Sequence, residues 1–400
     1  MVKFAPHMPL SLQGTLSNEL VQKAQKLSIE SARLSGNYPQ QILDAIKELL
    51  LIVNSYYSNL IESEGTHPHD IQKAMKQEYA LDEKNHRLQL LAIAYIDMQK
   101  ELAKTLPNKE TSPYTTEFVR YVHKAFYGKE EMQPFLRIAH PLTGATILMT
   151  PGAWREHDVK VGAHIPPTHS EVAVTMQHFE NLYKRQNYDE PLTHEIIKAF
   201  ASHHRLVWIH PFLDGNGRVS RLILDALLHA AGVEGYGLWS ISRGLAERQS
   251  EYKKELKYAD MIRQGATDGR GPLSLRGLES FVDFMLETAL DQVAYTASIV
   301  KMQTLSTRIE NYVKYSLDGM YEVKLPKESA VIFKELLLKG ELIRSDIDRL
   351  LKISESKRTK LLRELIQKDF LSSTSHKSPV KLKFNTHFAQ EIFPDLIPKK

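Results

Sequence analysis

Twelve residues, His210 to Arg221 (HPFLDGNGRVSR), constrain what this chain can fold into more than any other stretch. Gly215, Asn216 and Gly217 permit the positive φ and close approach that let successive amide N–H groups point at one centre. The pattern that follows, RVSRLILDALL, predicts a helix starting directly after the turn. The first N–H groups of such a helix lack internal partners and carry partial positive charge, which favours a bound anion. Arg218 and Arg221, three apart, project from one side of its first turn. Pro211 biases His210 toward an extended conformation on the loop. There a neutral imidazole can take a proton from a hydroxyl. Asp214 offers a hard oxygen to Mg²⁺, an ion that usually joins one carboxylate to substrate phosphates. Phe212 is the expected apolar anchor of the loop, and the Gly-Lys-Ser/Thr ending of a P-loop is missing. These elements describe a polyphosphate site with a base beside it.

The same stretch resembles the complete signature of the Fic family. The resemblance implies a mainly α fold, a Fic-type helical bundle with a small β-hairpin flap, and transfer of AMP from MgATP to a Ser, Thr or Tyr hydroxyl of a protein, self-modification included. It implies His210 as general base and Asp214 as the Mg²⁺ ligand. Asn216 with the Gly215 and Gly217 amides would surround the α-phosphate, and Arg218 and Arg221 would hold the outer phosphates. His203 sits where Fic proteins often carry a helix histidine, and a core or capping role is expected of it. The segment from Pro151 to Gly162 resembles the Fic flap; Val159 and Val161 alternate with polar neighbours as in a half-exposed strand. Val159, Lys160, Val161 and Gly162 are thus expected to dock a target segment by strand addition. SISRGLAERQSEYKKEL and LESFVDFMLETAL resemble the family's later helices, with Tyr252 expected near the nucleotide.

A second signal lies upstream. Ile42, Ile46, Leu49, Leu50 and Val53 recur at helical spacing through Gln40–Leu60, before Ser58-Asn-Leu-Ile-Glu62-Ser63. This resembles the inhibitory motif of Fic proteins, whose glutamate pairs with the second arginine of the signature, here Arg221. The resemblance implies that Glu62, with Ser58 four residues before it, obstructs placement of the γ-phosphate. The sequence departs from the family pattern at Ser63, where Gly or Asn is usual; Glu64 has the following glycine but Leu60 four residues back.

The chain's net charge of +4 is unevenly placed: residues 325–400 hold 16 Lys/Arg against 10 Asp/Glu, a balance of +6. This region reads as three short helices, the first opened by Pro326, the second capped by Ser345 and the third by Ser354 or Ser356, followed by a hairpin over Leu371–Phe384. That order resembles a winged helix-turn-helix, which implies DNA contact through Lys357, Arg358 and Lys360 at the start of the third helix. Such modules also serve protein interaction. Four domains are expected: 1–109, an N-terminal helical region with the inhibitory helix; 110–290, the Fic core; 291–324, a connecting helix and linker; and 325–400, the winged module. Gly277–Tyr312 reads as one long helix suited to bridging domains or to homodimerisation. With no cysteines, no signal-peptide core and no apolar run of membrane-spanning length, a cytoplasmic protein without membrane attachment is expected. Two rival functions fit the same residues: removal of AMP from a protein at this site, and DNA-binding regulation with a nucleotide-sensing Fic domain.

Overall fold

Helix α7 (Leu192–Ile209) forms the axis of the molecule, because every side chain from Ile196 to Leu206 is buried. A helix buried on all sides must be wrapped by others, and the chain supplies them in order. The computed structural model describes residues 16–36, 38–105, 112–139, 144–184 and 190–399. Before α7 come α1 (Asn18–Ser35), α2 (Gln40–Ile61), α3 (Pro68–Ala74), α4 (Glu83–Thr105), α5 (Thr116–Tyr127), the strands β1 (Arg137–Ala139) and β2 (Thr146–Leu148), and α6 (Val172–Tyr183). After it come α8 (Asn216–Ala230), α9 (Ile241–Glu247), α10 (Gln249–Ala259), α11 (Leu275–Ile299) and α12 (Met302–Leu317). The fold is mainly helical, with small antiparallel strand pairs.

Two breaks in regularity matter. Helix α2 buries Ile42, Ile46, Leu49, Leu50 and Val53, as its spacing predicts, and ends at Glu62. Ser63 then turns left-handed at φ 63, closed by Ser63 N–H on Leu60 O (2.9 Å) and Glu64 N–H on Asn59 O (2.9 Å). Glycine and asparagine adopt that conformation most readily, which gives a physical reason for the residues usual at this position. The expected single helix over Gly277–Tyr312 is instead two, α11 and α12, parted at Val300 and Lys301. The freed carbonyls are taken by side chains: Tyr38 Oη donates to Val300 O and Arg308 Nη1 to Ile299 O (3.0 Å).

The C-terminal region comprises α13 (Ser329–Lys339), β3 (Glu341–Leu342), α14 (Arg344–Leu351), α15 (Glu355–Gln367), β4 (Leu371–Ser372), β5 (Val380–Leu382) and α16 (Thr386–Ile392). The three expected helices are present, but α13 starts after Pro326 at Ser329, and α14 is preceded by Ile343 rather than capped by Ser345. Ser354 caps α15 by accepting from Lys357 N–H at 3.4 Å. The hairpin gains a strand, giving an antiparallel sheet in the order β3-β5-β4 with Glu341 opposite Lys381 and Leu371 opposite Leu382. Helix α16, not expected from sequence, docks on α3: His69 lies between Thr386 Oγ1 and Gln390 Oε1 (2.7 Å each), and Gln72 Oε1 accepts from Thr386 N–H at 3.0 Å. Among the described residues no helix is long and apolar enough to cross a membrane.

Since Ser63 holds a left-handed conformation that costs a side-chain-bearing residue about 1–2 kcal/mol, Ser63→Gly is expected to raise unfolding stability. After glycine's extra unfolded-state entropy, the net gain should be about 0.5–1 kcal/mol. Urea titration of both proteins reads this out; an unchanged or lowered midpoint contradicts it.

Candidate active site

The loop between α7 and α8 is shaped by constraints that its sequence pattern only partly discloses. His210 is not extended but left-handed, at φ 50 and ψ 62, and ends α7. Pro211 disfavours the right-handed helical region for its predecessor, and Arg155 stabilises the left-handed alternative. Arg155 Nε donates to His210 O at 2.8 Å, and its backbone N–H donates to Pro211 O at 2.9 Å. Its other nitrogens bind His157 O and Pro167 O, so one buried guanidinium ties the segment before α6 to the loop between α7 and α8. Phe212 is the expected anchor, 1% exposed, with the His123 ring stacked on it at 3.8 Å.

Asn216 closes the turn. Its Oδ1 accepts from Phe212 N–H and its Nδ2 donates to Phe212 O, both at 2.9 Å. Its side chain therefore shapes the loop, while its backbone N–H lies in the first turn of α8. Gly215, at φ 79, could not carry a Cβ, which would stand 2.5 Å from the Tyr127 ring. At Gly217 a Cβ would lie 2.0 Å from Glu62 Oε1, so this glycine admits the glutamate to the helix N-terminus.

Both signature arginines are buried and held. Arg221 Nε donates to Ser58 Oγ and Nη2 to Ser58 O (2.8 Å each), and Nη2 pairs with Glu62 Oε1 at 2.7 Å. Burial alone would raise the Glu62 carboxyl, but Arg221 and then Arg218 bring it below the usual carboxylate range. Arg218 donates to Tyr127 Oη at 2.9 Å, approaches Asp214 Oδ2 at 3.5 Å and pairs with Glu64. The two carboxylates thus divide the two arginines between them. Burial, aided by Arg155 and His164, pushes His210 down to about 4, which leaves its imidazole neutral near pH 7.

Two adjoining clefts meet at His210. One, of about 520 Å³, lies among Glu62, Glu64, Asp214 and residues 215–218; the other, of about 620 Å³, is bounded by Arg221, Trp208, Tyr252, Lys253 and Asp260. Tyr252 borders the second cleft, but its hydroxyl is bound to His203 Nε2 at 2.8 Å. His203 is itself a core residue, as expected, 2% exposed.

The expected flap strand is corrected. Val159 and Val161 belong to no ladder; the regular hairpin is β1–β2, upstream. Residues 161–164 instead form a tight turn, with Gly162 at φ 60 and Val161 and His164 exchanging hydrogen bonds of 3.0 and 2.9 Å. Lys160, Val161 and Gly162 still line the cleft facing the α8 N-terminus, whereas Val159 does not. Of the three cations on α15, Lys357 pairs with Glu328 (3.0 Å) and Arg358 is buried against Asp348 and Glu355; Lys360 remains exposed. His123 and Tyr127 carried no sequence signal, and Arg155 only that of the flap-like segment, since each acts through contacts between distant segments.

A sequence profile of the Fic/DOC family matches residues 113–228. Among curated proteins the chain is similar to the protein adenylyltransferase Fic of Drosophila willistoni, 36% identical over 116 residues, which is 28% of this chain and 23% of that protein. It is also similar to that of Aedes aegypti, 35% identical over 118 residues, again 28% and 23%. The chain therefore spans only 23% of the length of either relative. A Fic family protein from Desulfovibrio desulfuricans matches in structure with a TM-score of 0.53 at 16% identity, over 93% of this chain and 98% of that one. A Fic-domain signalling protein from Bacteroides thetaiotaomicron gives 0.53 at 17% identity, over 68% and 95%. These structures establish the fold.

Buried histidines make the fold acid-sensitive. Burial lowers His123 from 6.5 to about 4 and His203 from 6.5 to about 3. Their stabilising effect is complete above the unfolded value of 6.5 and is lost as pH falls toward those folded values, because the unfolded chain takes up protons first. Each should weaken stability by roughly 1 kcal/mol per pH unit below 6.5. Urea midpoints at pH 7 and pH 5 should differ accordingly, and His123→Asn should flatten the slope; an identical slope in the variant contradicts it.

Proposed function

A Fic domain spans residues 113–228 of this chain, and on that premise we propose that the protein transfers AMP from ATP to a Ser, Thr or Tyr hydroxyl of a protein, restrained at rest by Glu62. The observation that carries this reading is the convergence of His210, the α8 N-terminus and the Arg221–Glu62 pair on one cleft. His210, neutral near pH 7, takes the proton as the hydroxyl oxygen attacks the α-phosphorus. The bond from the α-phosphorus to the bridging oxygen of the β-phosphate breaks, and pyrophosphate leaves. The α8 amides stabilise charge on the α-phosphate, while Arg218 and Arg221, released from their carboxylates, would receive the outer phosphates.

Asp214 fits as a Mg²⁺ ligand, since its half-exposed carboxylate stands at the cleft mouth beside the phosphate cradle and one carboxylate plus substrate phosphates suffices for that ion. When bound, the metal would neutralise phosphate charge. A cytoplasmic setting supplies both ATP and Mg²⁺. Ser58 acts here through Arg221, holding the guanidinium at its hydroxyl and carbonyl.

Removal of AMP is the second reading, favoured by the resting geometry: Glu62 and Glu64 occupy the outer-phosphate arginines, while the α8 amides beside them suit a single phosphate. The DNA-contact reading has less support, because Lys357 and Arg358 are engaged by carboxylates.

Incubation with α-labelled ATP and Mg²⁺ tests the main reading. Label on this protein or on lysate proteins should rise at least tenfold in Glu62→Gly and vanish in His210→Ala. Loss of label release from a modified protein in Glu62→Gly, without gain of transfer, would establish the reverse reaction instead.

A further inference from the structure

Behind helix α8 lies a further cavity, of about 370 Å³, that shares no residue with the clefts at His210. Its body is apolar, walled by Leu50 and Leu51 of α2, Leu102 and Ala103 of α4, Ala226 of α8, and Trp239. That volume and lining suit a small organic molecule. The mouth is cationic. Lys47 on α2 and Lys100 and Lys104 on α4 border it, opposed by Glu48 alone at the rim. Lys100 and Lys104 are one turn apart on α4 and exposed, and none of the three lysines forms an ion pair among the described residues.

Of the polar residues that line it, which include Gln99, His229 and Tyr236, two bear most on a ligand's polar groups. Asn54 donates to Gln99 Oε1 at 3.1 Å, but its Oδ1 is buried without a partner. Asp225 receives the Tyr236 hydroxyl. Burial pushes Asp225 up to about 7, against the opposing effects of Tyr236 and Arg221, so at neutral pH much of it is uncharged and repels an anion little.

We infer that this cavity is a binding site for an amphipathic anion: an aromatic body in the apolar chamber, its acid group on Lys47, Lys100 and Lys104, and a donor facing Asn54 Oδ1. Its position gives such a ligand leverage. Asn54 lies one turn before Ser58 on α2, and Asp225 one turn after Arg221 on α8. The cavity therefore continues the interface at which those helices exchange the Ser58–Arg221 hydrogen bonds. The inference stands independently of which group the catalytic cleft transfers.

The test is fluorescence titration of the full chain with 8-anilino-1-naphthalenesulfonate, an aromatic sulfonate with one N–H donor, in the presence of saturating AMP to occupy the catalytic cleft. One saturable site per chain is expected. Its affinity should fall at least tenfold in the charge-reversed pair Lys100→Glu/Lys104→Glu and in Ala103→Trp, which obstructs the chamber; all three positions are exposed, so the fold should tolerate them. Absence of a saturable site, or equal affinity in wild type and both variants, would overturn the inference.

Discussion

A buried guanidinium governs this molecule. Arg221 is 1% exposed, and a charge so far from water must be paired where it stands. Ser58 and Glu62 supply the partners from a helix more than 150 residues earlier in the chain. That requirement fixes α2 against α8 and brings the Glu62 carboxylate over Gly217, where a side chain would have to displace it. It also creates a competition, because a ligand phosphate could satisfy Arg221 as well as Glu62 does. Arg218 is settled in the same way by Tyr127, Asp214 and Glu64.

The parts legible in sequence were those encoded within one turn or one helix. The Gly-Asn-Gly turn, the helix after it, the apolar face of α2 and the pairing of Glu62 with Arg221 all follow from short-range pattern or from the family signature carried by it. What escaped depends on segments that meet only in the fold. His210 is left-handed because Arg155 holds its carbonyl from 55 residues away, and no local rule contains that contact. Asn216 bonds Phe212 with both ends of its side-chain amide, a loop-shaping role that the Gly-Asn-Gly pattern does not disclose. Glu62 and Glu64 looked like alternatives for one arginine; the left-handed turn at Ser63 lets each take its own. Alternating valines suggested a strand at 159–161, but Gly162 and the Val161–His164 bridge make a turn.

The contacts that position the Glu62–Arg221 pair extend beyond α2. Residues 67–76, immediately after Glu62 and Glu64, are gripped by the C-terminal region through His69, Gln72 and the Lys76–Asp369 pair at 3.1 Å. The apolar chamber behind α8 touches the other end of the same interface. The Glu62–Arg221 contact thus lies between two places where a partner or ligand could alter it without any change in the loop between α7 and α8.

The competition at Arg221 is most directly tested by calorimetric titration of wild type and Glu62→Gln with ATP and with AMP. The account predicts that removing the carboxylate charge tightens ATP by about tenfold, roughly 1.4 kcal/mol, and leaves AMP affinity unchanged. Equal ATP affinity in the two proteins, or an equal gain for AMP, would contradict it.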